Sequence, residues 1–123
     1  MASLNDRILD FGLSVLDTEA NAVYITSAEA TTYTQATSTY ALGNATSITV
    51  GAPQDRTGGG REVVVSAVTG GTVTTSGTAT HYAIVDTVNS RLLATNTLNN
   101  PQAVVAGNSF SLAAISVGIP DPA

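Results

Sequence analysis

His81 is the single histidine of the chain, and it carries the only side chain whose ordinary pKa lies near neutrality, so acid or base chemistry at physiological pH would start there. Proton transfer needs a positioned partner, and a nucleophilic triad needs an orienting carboxylate as well. Asp86 follows in the opposite strand phase and is expected to point away. A structural strand histidine is the expected role, and a small hydrolase built on His81 is set behind the two readings given below. Asp6 and Asp10 stand at i, i+4, a spacing at which paired carboxylates can do acid and base work. With Arg7 between them on an exposed helix face they read as solvated charges. Gly58-Gly59-Gly60 could cradle a phosphate, but a P-loop needs a trailing lysine and a helix start, whereas Arg61-Glu62-Val63-Val64-Val65 begins a strand. With no cysteine and one imidazole, a metal site has too few ligands. The expectation is a chain with no catalytic, cofactor-binding or metal-binding residues, and not an enzyme.

Tyr24, Tyr33, Tyr40 and Tyr82 carry most of the aromatic surface, since there is no tryptophan. Tyrosine faces can stack on sugar rings, but core or interface packing is the commoner use. Asn44-Ala45-Thr46 matches the short N-glycosylation pattern, and the Asp55-Arg56 pair could serve in docking.

The charge balance excludes a large class of partners. Arg7, Arg56, Arg61 and Arg91 are the whole basic complement, set against nine carboxylates, for a formal net charge of −5. Phosphate backbones require clustered Lys and Arg, so no nucleic-acid partner is expected. No apolar run is long enough for a helical membrane span. The opening apolar stretch is broken by Asp6, Arg7 and Asp10 with no basic segment before it, so no cleaved secretion signal is expected.

Residues 1–123 fit one domain, with 43% hydrophobic residues to fill its core. Residues 3–17 read as an amphipathic helix, with Ser3 at the N-cap and Asp6 in the first turn. Leu4, Ile8, Phe11 and Val15 form one stripe and Leu9, Leu13 and Leu16 the next, an apolar arc of roughly 200°, wider than one sheet requires. Part of it is expected to face another subunit.

From 22 to 119 the pattern is mainly antiparallel β. Ala22 to Thr26 is a strand, and the Thr-, Ser- and Ala-rich stretch through Ala41 reads only as extended. Leu42-Gly43-Asn44 marks a turn before a strand at Thr46 to Val50, and residues 51–60 form a loop. Arg61 to Thr69 and Thr72 to Thr78 read as a hairpin about Gly70-Gly71. Thr80 to Asp86 and Arg91 to Thr95 make a second hairpin, and Gln102 to Val105 with Ser109 to Ile119 a third pair. In the last strand Phe110 and Leu112 are out of phase with Ile115, Val117 and Ile119, which suggests a bulge near Ala113-Ala114. Residues 120–123, with two prolines, form a tail. The fold class is mainly β, an antiparallel β-sandwich or barrel-like domain with one N-terminal amphipathic helix.

Five stretches carry a resemblance over nearly the whole length: LNDRILDFGLSVLD, the Thr-rich run ending in TYALGN, VGAPQDRTGGGREV, GTATHYAIVD and the closing SVGIPDPA. In these the chain resembles short proteins encoded in the structural regions of tailed-phage genomes that infect α-proteobacteria. The resemblance implies a small virion component, foremost a decoration or cement protein on the capsid exterior, made in the host cytoplasm. Its partners would be the major capsid protein and copies of itself, as a homo-oligomer with a trimer on quasi-threefold axes. Leu4, Ile8, Phe11, Val15, Tyr33 and Tyr40 are the candidate assembly interface. The alternative is a receptor- or carbohydrate-binding module of a tail or fibre, with Tyr33, Tyr40 and Tyr82 converging on a cleft.

Overall fold

A computed structural model describes residues 3–4, 13–46, 48–55 and 61–119. In chain order the elements are β1 (Ser3–Leu4), α1 (Leu13–Glu19), β2 (Ala22–Thr26), a π-helical turn (Gln35–Thr39), β3 (Ala41–Ala45), β4 (Gln54–Asp55), β5 (Arg61–Val65), β6 (Val68–Val73), β7 (Gly77–Asp86), β8 (Arg91–Val104), β9 (Ser109–Leu112) and β10 (Ile115–Ile119). A seven-stranded sheet has the order β1-β8-β7-β2-β3-β6-β9, and a three-stranded sheet the order β10-β5-β4. The pairings are antiparallel, and the strands do not close into a barrel.

The expectation of a mainly β, antiparallel chain holds, and the reason for the phase change near Ala113-Ala114 is now visible. There is no bulge there. β9 ends at Leu112 in the large sheet and β10 begins at Ile115 in the small one. Beside this crossing runs a second, from Val65 at the end of β5 to Val68 at the start of β6. Val65 pairs with Ile115 on one side of the break, and Val68 with Leu112 on the other. The two crossings are thus one antiparallel ribbon that bends and changes sheet, the way corners form where strands pass between packed sheets.

The bend lets the two sheets share a core. Val63, Val65, Ile115 and Val117 of the small sheet pack with Val23, Ile84, Leu93 and Ala94 of the large one, and α1 adds the fully buried Leu16. Leu93 and Ala94 are neighbours, yet both join this cluster. The register explains it: Ile84 faces Ala94 and Val85 faces Leu92, so Leu93 is the extra residue of a bulge and turns to the same face as Ala94. Farther along the same face, Ile25, Leu42, Val73 and Ala79 form a second cluster, flanked by Phe110 and Leu112.

Further expectations are corrected. Gln102 to Val105 and Ser109 to Ile119 do not pair with each other: Gln102, Ala103 and Val104 pair with β7, β9 pairs with β6 and β10 with β5. Ser3 and Leu4 do not open a helix; they pair with Thr95 and Ala94, satisfying backbone groups on the outer side of β8. The helix found is Leu13–Glu19, and residues 5–12 of the expected 3–17 helix lie outside the described residues. The hairpin about Gly70-Gly71 does not form, because β5 and β6 belong to different sheets. Both glycines lie inside β6 at a register shift: Gly70 takes φ 75°, and a Cβ on Gly71 would overlap the Phe110 ring lying over it. Gly43 likewise sits within β3 and not in a turn, since a Cβ there would overlap the Thr72 carbonyl of β6. Of the strand expected at Thr46 to Val50, the described residues 46 and 48–50 carry no strand, and Val50 makes an isolated bridge to Val65.

The Thr-rich stretch is not extended throughout. Residues 33–39 are helical, ending in the π-turn. The Gln35 N–H donates to Thr32 Oγ1 at 3.1 Å, and the Thr31 N–H donates to Gln35 Oε1 at 2.8 Å. This is a variant of the reciprocal capping arrangement. In the loop expected at 51–60, Gln54 and Asp55 pair with Glu62 and Arg61, while 56–60, with Arg56 and the three glycines, lie outside the described residues, as does the 120–123 tail.

Gly71→Ala is expected to lower stability by about 1–3 kcal/mol through overpacking against Phe110. Urea denaturation of Gly71→Ala in wild-type and Phe110→Ala backgrounds checks it: most of the cost should vanish once the ring is gone.

Candidate functional site

β2 is a central strand, flanked by β3 and β7, and its residues alternate between two covered faces. Val23 and Ile25 point to the shared-core side. Ala22 and Tyr24 point the other way, with Ala83 and Val85 of β7 beside them. Over this far face folds the segment between β2 and β3. It buries Ala30 and Ala36 and sets Tyr33 and Tyr40 next to Tyr24, with Leu92 of β8 completing the cluster.

The result is a group of three partly buried tyrosines on a floor of alanines. Its scaffold is held by the main chain. The Ser27 N–H donates to the Tyr40 carbonyl at 3.0 Å, and the Tyr40 N–H to the Gln35 carbonyl at 2.9 Å. Thr37 Oγ1 donates to the Tyr33 carbonyl at 2.9 Å, so both ends of the turn are pinned. Small alanines let the segment lie close to the sheet and leave the larger tyrosines partly exposed.

Of the expected interface residues, Tyr33 and Tyr40 are brought together here, and Tyr24 joins them. Leu4 lies in β1 opposite Ala94, and Val15 lies in α1. Ile8 and Phe11 lie outside the described residues, as do Asp6, Arg7 and Asp10. Tyr24 could have been found from its sequence: in AVYIT it alternates with Val23 and Ile25 and must face away from them. The three-tyrosine cleft of Tyr33, Tyr40 and Tyr82 does not form. Tyr82 faces Ile25 in the ladder and packs on the shared-core cluster, across the sheet from the other two. Burial pushes its phenol upward in pKa, opposed by a side-chain hydrogen bond with Asn96.

His81 Nδ1 lies 2.8 Å from Thr80 Oγ1, and its carbonyl accepts a long hydrogen bond from Thr26 Oγ1. Asp86 sits about 16 Å farther along the same strand. Its carboxylate is engaged in its own turn: Oδ1 accepts the N–H groups of Val88 at 3.0 Å and Asn89 at 3.3 Å, and Oδ2 accepts Asn89 Nδ2 at 2.8 Å. Asp86 is only 2% exposed. Burial alone would raise its pKa, but these hydrogen bonds and the Arg91 charge outweigh burial and hold the carboxyl below its usual range. Arg91 also reaches Glu19 at 3.4 Å, and the Thr87 N–H donates to Asn21 Oδ1, which ties the turn to the segment after α1. Asn44, in the glycosylation pattern, lies in the ladder between Tyr24 and Thr72 and not on the surface loop that an acceptor asparagine needs.

Comparison of the chain with models of protein families, with curated proteins and with solved structures finds no match.

Because the folded pKa of Asp86 is depressed, its stabilising contribution is present above the unfolded value of about 3.9 and is lost as pH falls through the lower folded value. Urea midpoints measured from pH 6 down to pH 2 should therefore fall on acidification, and Asp86→Asn should flatten that part of the profile. At pH 7 the same variant should be less stable by about 1–3 kcal/mol.

Proposed function

We propose that this chain is a non-enzymatic structural protein of a tailed-phage virion that binds the capsid exterior as a decoration or cement protein. The observation that carries the reading is the cluster of Tyr24, Tyr33 and Tyr40 on the far face of the large sheet. Partly buried tyrosines with fixed backbones supply large contact area at low entropic cost, and tyrosine is enriched where proteins meet. The resemblance over most of the chain points to the same class of protein.

A cement protein has to be a small rigid body, repeated many times, that bridges neighbouring capsomers. Two antiparallel sheets closed over a common core as a sandwich suit that task. The partners in this reading are the major capsid protein and further copies of the chain, arranged as a trimer. The net charge of −5 suits a particle that must stay dispersed. A receptor- or carbohydrate-binding module of a tail or fibre is the second reading, and it now rests on the Tyr82 side of the sheet alone.

Purified protein mixed with undecorated heads should bind saturably and sediment with them. Tyr33→Ala and Tyr40→Ala should each weaken that binding about tenfold or more, as for aromatic residues central to an interface. An absence of saturable binding to heads counts against the proposal.

A further inference from the structure

We infer that the cleft beside Tyr82, between β8 and the crossing from β9 to β10, binds a neutral saccharide. It stands apart from the capsid reading, because it uses the opposite side of the large sheet and none of the three clustered tyrosines.

The cleft originates in an irregularity of the longest ladder. Ala79 of β7 faces Gln102 of β8, and His81 faces Thr97. Between these pairs Thr80 stands alone against the backbone of Leu98, Asn99, Asn100 and Pro101. A strand with that many extra residues must leave the ladder, and such bulges re-aim side chains. Pro101 has no N–H to donate, so it fits where the pairing is interrupted. The opposite wall is the chain from Ser111 to Ser116 as it passes between the sheets. The hollow between the walls is about 330 Å³, at the small end of the range for small-molecule sites.

Its lining selects the ligand chemistry. Asn100 and Gln102 contribute amides, Thr97 and Ser111 hydroxyls, and Tyr82 a phenol, while the Asn96 oxygen already accepts the Thr97 N–H at 2.8 Å. Each amide carries both donors and acceptors, as do the neighbouring hydroxyls of a sugar. Among the described residues, no lining side chain is charged. A phosphate or carboxylate ligand would lack a cation, and a metal ion would lack anionic ligands. A wholly apolar ligand would leave the amides unpaired. Leu98, Leu112 and Ile115 add an apolar surface beside the Tyr82 ring, which matches the C–H face of a pyranose.

Preorganisation is uneven in a useful way. Tyr82 is fixed by packing on the shared core, with Asn96 as its partner across the ladder. Asn100 and Gln102 are exposed, and among the described residues neither side chain is held by another. Ser116, on the rim, gives its hydroxyl to Glu62 at 3.4 Å, so it is left out of the contact set.

The test is saturation-transfer NMR and calorimetry with the intact chain. The probes are neutral mono- and disaccharides of glucose, galactose, mannose, rhamnose and N-acetylglucosamine, with a sialylated lactose as the anionic control. At least one neutral probe should bind with a Kd on the order of 1 mM or tighter. Asn100→Ala and Gln102→Ala should each weaken it about tenfold or more with unchanged urea midpoints, since both side chains are exposed. Three outcomes overturn the inference: no neutral probe binds, only the anionic control binds, or binding is indifferent to both substitutions. Head binding is a separate measurement, and either result leaves the other standing.

Discussion

The bend of the β5–β6 and β9–β10 ribbon is the constraint on which the rest of the molecule depends. Val65 against Ile115 and Val68 against Leu112 fix where the ribbon leaves one sheet and enters the other. Only with that corner in place can Val63, Val65, Ile115 and Val117 close on Val23, Ile84 and Leu93. The core has no disulfide to support it, since the chain holds no cysteine. Stability therefore rests on apolar burial, about 1.5–3 kcal/mol for each fully buried Val, Leu or Ile side chain. Most of the pairs involved are far apart in sequence, so the corner forms only after large loops have closed.

Both surface features follow from this corner. The large sheet is covered on one face by the small sheet, which leaves the other face for the segment between β2 and β3 and its tyrosines. The ribbon crossing itself forms one wall of the cleft beside Tyr82. Glycine serves the same architecture at Gly43 and Gly71, where a neighbouring strand or ring occupies the place of a side chain.

Much of the fold is legible in the chain, and what is not legible has physical causes. The β7–β8 hairpin is plain because its turn residues and flanking apolar runs agree, and the reversal of phase after Leu112 is a true signal whose cause, a change of sheet, lies beyond local pattern. Gly43 and Gly70-Gly71 mislead for one reason: glycine marks a turn and a close approach alike, and only tertiary context separates them. Thr32 and Gln35 carry a capping signature, but it is masked by the threonines and serines around it. Of the candidate interface, Tyr33 and Tyr40 were legible as polar-tipped aromatics in a segment without charge of its own beyond Glu29. Their meeting with Tyr24, and the separation of Tyr82 to the other face, depend on which strands become neighbours.

The central claim is that this β body is an assembled part and that its tyrosine face is the surface by which it is assembled. An image reconstruction of the particle that carries the chain tests it most directly. The account predicts copies on the outer capsid surface with Tyr24, Tyr33 and Tyr40 buried against a capsomer; copies confined to the tail, or seated on the capsid with that face open to solvent, would contradict it.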